Sequence, residues 1–168
     1  MNLLIIRHGK AEERAGSLFA KKRDAERRIT DAGRKSMRKA ARGLREIAPK
    51  IDVLATSPLI RARETAEIVA KVLGKADVTE LALLAPEGDK QALIAWLNEQ
   101  PADATVAIVG HEPHLSAFAS LLIDGNSRSR ITLKKGACCL IEFSDGPSAG
   151  NGTLLWLLQP GQLRKIDG

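Results

Sequence analysis

The apolar positions of this chain fall into two patterns, continuous runs and runs with a helical period. Leu3-Leu4-Ile5-Ile6 and residues 105–109 are unbroken apolar or β-branched stretches, the signature of strands buried on both faces inside a parallel sheet. Residues 51–56 read as a further strand, and residues 78–81 as a weaker one. Between them the period changes. Met37, Ala40, Ala41, Leu44, Ile47 and Ala48 recur at spacings of three and four, with Arg34, Lys35, Arg38, Lys39, Arg42 and Arg45 on the outside, which predicts an amphipathic helix. Thr30 is its expected N-cap and Pro49 its stop.

A second helical pattern runs through Ala62, Ala66, Ile68, Val69, Val72 and Leu73 to Gly74. A third follows Gly88-Asp89 through Leu93, Ile94, Trp96 and Leu97, and a fourth starts at Pro113 and includes Leu115, Phe118, Ala119, Leu122 and Ile123. Residues 136–144 and 153–159 read as two strands of a hairpin at one sheet edge. Residues 160–168 read as a tail, and residues 10–28, with Leu18 and Phe19 as their only sizeable apolar residues, as a loop or frayed helix over the mouth of a site. No linker, repeat or low-complexity tract divides the chain. The expectation is α/β, a single domain over residues 1–168 with a mainly parallel central sheet and an antiparallel edge.

At 168 residues, 44% of them hydrophobic and 27% charged, the chain can build its core without disulfides. Cys138 and Cys139 are neighbours in an expected strand, so they point to opposite faces and read as small buried apolar residues. No cationic segment precedes the short opening run and no stretch approaches a membrane span, which predicts a soluble, cytoplasmic protein with no membrane partner. The net charge of +6 is uneven: residues 1–50 carry 15 Lys+Arg against 6 Asp+Glu, the remainder 11 against 14. Two readings fit that asymmetry, an anionic partner near the N-terminal third or a solvated basic helix face. Nucleic acid is disfavoured, because Trp96, Trp156, Phe19, Phe118 and Phe143 are dispersed and form no stacking platform.

Ligands in open α/β sheets bind beyond the carboxyl ends of the strands. Arg7 and His8 follow the first strand, Arg61 follows the second, and His111 follows the strand at 105–109. Two imidazoles and two guanidiniums converging on one crevice would repel and be costly to desolvate unless an anion joined them. A phosphoryl group suits them: arginine forks match its oxygens, and a histidine can attack phosphorus.

Three segments carry a family resemblance: Arg7-His8-Gly9, Ser57-Pro58-Leu59-Ile60-Arg61-Ala62-Arg63-Glu64-Thr65-Ala66, and Gly110-His111. In this order at strand ends they resemble the histidine phosphatase superfamily, with its phosphoglycerate mutase-like, three-layer α/β/α fold. Within it, Ile29-Thr30-Asp31-Ala32-Gly33 resembles the Leu-Thr-x-x-Gly element of the small SixA-type phosphohistidine phosphatases, and Pro86-Glu87-Gly88-Asp89 resembles their Pro-x-Gly-Asp element.

The resemblance implies a metal-independent phosphatase without cofactor. In it His8 attacks phosphorus to form a phosphohistidine, Arg7, Arg61 and His111 surround the equatorial oxygens, and inorganic phosphate is released. Arg27, before the Leu-Thr-x-x-Gly element, is either a further phosphate contact or one more exposed cation. The short chain has little room for a roof over the pocket, which favours phosphohistidine on a partner protein over small phosphorylated metabolites, the alternative substrate class. A non-catalytic basic module binding nucleic acid or a phosphoprotein is the reading from another class.

A general acid is harder to assign. Glu80, Glu87 and Asp89 lie where many superfamily members carry one, although Asp89 also reads as a helix N-cap. His114 reads as a surface residue, and the His111/His114 pair lacks the third ligand that a metal site would need.

Overall fold

In the computed structural model, which describes residues 1–13, 24–74 and 77–166, β1 (Asn2–Arg7) lies at the middle of a six-stranded sheet. Its four large residues are fully buried, and they divide by parity. Leu3 and Ile5 face one core and Leu4 and Ile6 the other, as the two-residue period of a strand requires when both faces are covered.

The sheet order is β3 (Thr79–Glu80), β2 (Val53–Thr56), β4 (Thr105–Gly110), β1, β5 (Cys138–Glu142), β6 (Thr153–Leu158). The first four strands are mutually parallel, and β5 and β6 add an antiparallel edge. This is the expected mixed α/β arrangement, a mainly parallel sheet with an antiparallel edge. Cys138 and Cys139 are both buried and fall on opposite faces. Burial pushes the Cys139 thiol up to about 12 and holds that of Cys138 well above its ordinary range.

On one face lie α1 (Asp31–Ile47) and α2 (Ile60–Leu73), contributing Met37, Ala40, Ala41, Leu44, Ala62, Ala66 and Val69 to the core. On the other lie α3 (Lys90–Asn98) and α4 (His114–Asp124), with Leu93, Leu97, Leu115 and Phe118. The caps act where the sequence puts them. The Thr30 hydroxyl accepts from Gly33 N at 3.1 Å, the Asp89 carboxylate accepts from Gln91 N and Ala92 N at 2.7 and 3.2 Å, and Gly74 closes α2 with φ of 76°. Ile47 departs from the expected stripe and lies at the surface.

Two further expectations fail. Residues 160–166 are not a tail but a helix, α5 (Pro160–Ile166), packed on α1 with Leu163 fully buried. The close approach depends on Gly43, where an added Cβ would lie 1.9 Å from Leu163 O. His114 is not a surface residue: it is 2% exposed, its Nε2 pairs with Gly88 O at 2.9 Å, and its ring stacks on Phe118. It thereby pins the Pro86–Asp89 element against α4. Of the expected loop at 10–28, Ala11 bridges Ile29 and residues 24–26 are helical, while residues 14–23 lie outside the described residues.

Candidate active site

Sheet register brings the two strand-end histidines together. Arg7 of β1 pairs with Gly110 of β4, so the residues that follow, His8 and His111, emerge side by side with ring centroids 5.0 Å apart. The His8 amide donates to Gly110 O at 3.1 Å, and Gly136 N donates back to the carbonyls of Arg7 and His8. On the other flank, Ser57 N donates to Val109 O, which sets the Ser57 hydroxyl 2.8 Å from His111 Nε2. Arg61, in the first turn of α2, is only 3% exposed.

The histidines and Arg61 line one cavity of about 510 Å³. Arg7, His8, Arg61, His111 and Arg27, all singled out from the sequence, are on its wall, joined by Lys10 and Lys135. The cationic lining is evident in Lys135, whose ammonium is depressed by burial first and then by Arg7, Arg27, Lys10 and Arg61.

His8 Nδ1 lies 2.7 Å from Gly9 O. A carbonyl only accepts, so Nδ1 carries the proton and Nε2 keeps the lone pair. The Gly9 peptide is itself fixed, because its N–H donates to Thr65 Oγ1 at 3.0 Å while the Thr65 hydroxyl donates to Arg61 O at 2.7 Å. One buried threonine therefore links the histidine's tautomer to the helix turn that carries Arg61. Burial first, and then Arg61, Arg7 and Lys135, push His8 down to about 3 against the opposing pull of the Gly9 carbonyl. His111 is pushed down to about 2 by burial, then by His8 and Arg61. Both imidazoles are thus neutral at pH 7, which a nucleophile needs and a phosphate clamp tolerates.

The arginines are already aimed. Arg7 Nη1 donates to Leu133 O at 2.6 Å. Arg61 donates from Nη1 to Asp24 O at 2.6 Å and pairs through Nη2 with the Asp24 carboxylate at 3.0 Å. Arg27 pairs with the other Asp24 oxygen at 2.8 Å and also donates to Glu12 O. The Asp24 carboxylate thus already sits against the Arg61 and Arg27 guanidiniums. Glu64, almost fully buried, anchors the neighbouring segment by accepting from Ile29 N at 2.7 Å and Arg34 Nη2 at 2.5 Å. Close packing continues at Gly33, where a Cβ would lie 2.2 Å from Lys10 O, a physical reason for glycine at the end of the Ile29–Gly33 element.

The three carboxylic acids put forward from the sequence are not on the cavity wall. Glu80 pairs with Arg63 at 2.9 Å with both side chains half exposed, Glu87 is exposed, and Asp89 is occupied as the α3 N-cap. The carboxyl that does line the cavity with the histidines is Glu112, next to His111, along with the exposed Glu12 and Glu13. Sequence reasoning passed over Glu112, as it did Ser57, Thr65 and Lys135. Only its position beside the second strand-end histidine could have pointed to it.

Comparison with known proteins agrees with this geometry. Residues 3–85 match the model of the histidine phosphatase superfamily (branch 1). The chain is 35% identical over 137 residues to an uncharacterized protein of Picosynechococcus sp. (strain ATCC 27264 / PCC 7002 / PR-6), covering 80% of this chain and 81% of that one. It is 29% identical to the phosphohistidine phosphatase SixA of Escherichia coli (strain K12) over 98% of this chain and 97% of the relative. The solved structure of the protein histidine phosphatase SixA complexed with tungstate superposes with a TM-score of 0.79 at 28% identity, covering 97% and 99% of the two chains.

Proposed function

The chain belongs to the histidine phosphatase superfamily, with SixA-type architecture, and is a phosphatase; from that premise we propose that it removes the phosphoryl group from phosphohistidine on a partner protein. The observation that carries this reading is the tautomer of His8. Its Nδ1–H is held on Gly9 O, which leaves Nε2 as a neutral nucleophile in a cavity walled by cations.

In the proposed reaction Nε2 attacks phosphorus in line, and the bond to the leaving nitrogen breaks as the Nε2–P bond forms. Arg7 and Arg61 neutralise the equatorial oxygens, Arg61 releasing Asp24 to do so, and His111 donates a hydrogen bond. Water then attacks the phosphohistidine, inorganic phosphate leaves, and His8 is restored. The route calls on no metal ion or cofactor. Arg27, sharing Asp24 with Arg61, contributes to phosphate binding once that carboxylate moves.

The partner-protein preference rests on the similarity to SixA-type phosphohistidine phosphatases over nearly the whole of both chains. Residues 1–168 act as one domain in this proposal. A cytoplasmic site of action belongs to it as well; among the described residues no helix is long and apolar enough to cross a membrane. The test is a side-by-side turnover assay of a histidine-phosphorylated protein and a panel of phosphate esters without added metal. A kcat/KM at least tenfold higher for the phosphohistidine protein is expected. Preference for the esters would overturn the substrate assignment.

A further inference from the structure

On the cavity wall, one half-buried carboxyl group has no part in the steps above. Glu112 follows His111 in the turn between β4 and α4, and its side chain lines the same cavity as His8, Arg7 and Arg61. Its two oxygens have different surroundings. Oε2 accepts from the Ser116 hydroxyl at 2.6 Å, whereas Oε1 is buried and has no hydrogen-bond partner among the described residues. An ionised carboxylate held this way leaves one oxygen dry, which is costly. The cost falls if that oxygen carries a proton, which removes the charge, or meets a ligand. The other carboxyls on the wall, Glu12 and Glu13, are exposed to water, and Glu12 is held on Arg28 N.

We propose that Glu112 is the proton donor to the leaving group, and that it extends this site from phosphohistidine to phosphate monoesters as a second substrate class. Resting on the phosphatase reading above, the step balances as follows. As His8 Nε2 bonds to phosphorus and the P–O bond breaks, the Glu112 carboxylic acid passes its proton to the departing oxygen, which leaves as an alcohol. The resulting carboxylate then accepts a proton from the water that attacks the phosphohistidine, and the acid is regenerated.

Burial raises Glu112 above the usual carboxylate range, opposed by the Ser116 hydrogen bond and by Arg7, so the protonated form persists at higher pH than for an exposed glutamate. The groups facing it are Arg7 at the end of β1, His111 beside it, Ser116 on α4 and Cys139 on β5, with Lys135 also on the cavity wall. His111 is neutral, and the Cys139 thiol stays protonated.

A donor of this kind matters in proportion to how poor the leaving group is. Glu112→Gln keeps the shape and the Ser116 contact but has no proton to transfer. Turnover by the wild type and this variant is measured on 4-nitrophenyl phosphate, phenyl phosphate, an alkyl phosphate and a histidine-phosphorylated protein, with the pH profile of each.

The expected result is a loss of about 100-fold or more on the alkyl ester, a change within about threefold on 4-nitrophenyl phosphate and on the phosphohistidine protein, and disappearance of the alkaline limb for the esters. Retained 4-nitrophenyl phosphate turnover also shows that the variant is folded. Glu112→Asp should restore part of the alkyl-ester rate. An equal loss across all leaving groups would overturn the donor assignment and make Glu112 structural, and so would a wild type that hydrolyses no ester. Neither result touches the phosphohistidine reading, which fails separately if the phosphohistidine protein is not turned over.

Discussion

Replacing Thr65 with valine tests whether the site's geometry is transmitted as the hydrogen bonds imply. The side chains have nearly the same shape, and Thr65 is fully buried, so the substitution removes a hydroxyl and leaves no cavity. Two bonds go: the one accepted from Gly9 N at 3.0 Å and the one donated to Arg61 O at 2.7 Å. Gly9 N–H is then stranded in the interior, which costs about 1–3 kcal/mol. For a chain of this size roughly 2–4 °C of Tm accompanies each kcal/mol, so ~2 kcal/mol corresponds to a fall of about 4–8 °C.

The functional effect should exceed what stability alone explains. The released Gly9 peptide also carries the carbonyl that fixes the His8 tautomer, and small displacements of a nucleophile cost about tenfold to a hundredfold in rate. Urea unfolding and single-turnover dephosphorylation, both well below Tm, read the two effects separately. Thr65→Ser should recover most of both. If Thr65→Val lowered stability and left the single-turnover rate within about twofold of wild type, the proposed link from α2 through Gly9 to His8 would be wrong.

Asp24→Asn should tighten binding of inorganic phosphate by about two- to fivefold, the equivalent of ~0.5–1 kcal/mol for a partly exposed pair, because it removes the carboxylate that pairs with Arg61 and competes with an incoming anion; calorimetry showing weaker binding would mean that Asp24 orders Arg61 instead. The pH dependence follows from the histidines. Both are depressed in the folded state, to about 3 and about 2, from about 6.5 when unfolded. Their neutral forms therefore favour folding above pH 6.5, and that contribution is lost as pH falls from 6.5 toward 3. Acid unfolding should accordingly be less steep in His8→Ala over that window, and identical acid profiles would contradict the depressed value. Leu163→Ala should cost about 2–5 kcal/mol by urea denaturation, whereas a change under ~0.5 kcal/mol would mean that α5 is dispensable.

Features that depend on a local pattern were legible in the sequence. The opening run, Leu3 to Ile6, announces a doubly buried strand because no polar residue interrupts it. Thr30, Asp89 and Gly74 mark helix ends through chemistry that needs no tertiary partner. The strand-end positions of Arg7, His8, Arg61 and His111 follow from the same elements. What was not legible depends on contacts between distant segments. α5 spans seven residues with one buried leucine, too short for a period to emerge, and its docking is set by Gly43 in another helix. His114 reads as polar and therefore superficial until the Gly88 carbonyl is brought to it. Glu112 acquires meaning only when β1, β5 and α4 close around it. The three acids near residue 85 were placed by resemblance, and in this chain their segment carries only Pro86 to the cavity wall.

The central claim, that His8 is the nucleophile, is tested most directly by trapping the intermediate. Protein mixed with a labelled phosphodonor and quenched within the first turnover should carry acid-labile, base-stable phosphate in the peptide containing His8, located by mass spectrometry under alkaline conditions. His8→Ala should carry none while still binding inorganic phosphate. Equal labelling of His8→Ala, or label on His111 in the wild type, would contradict the account.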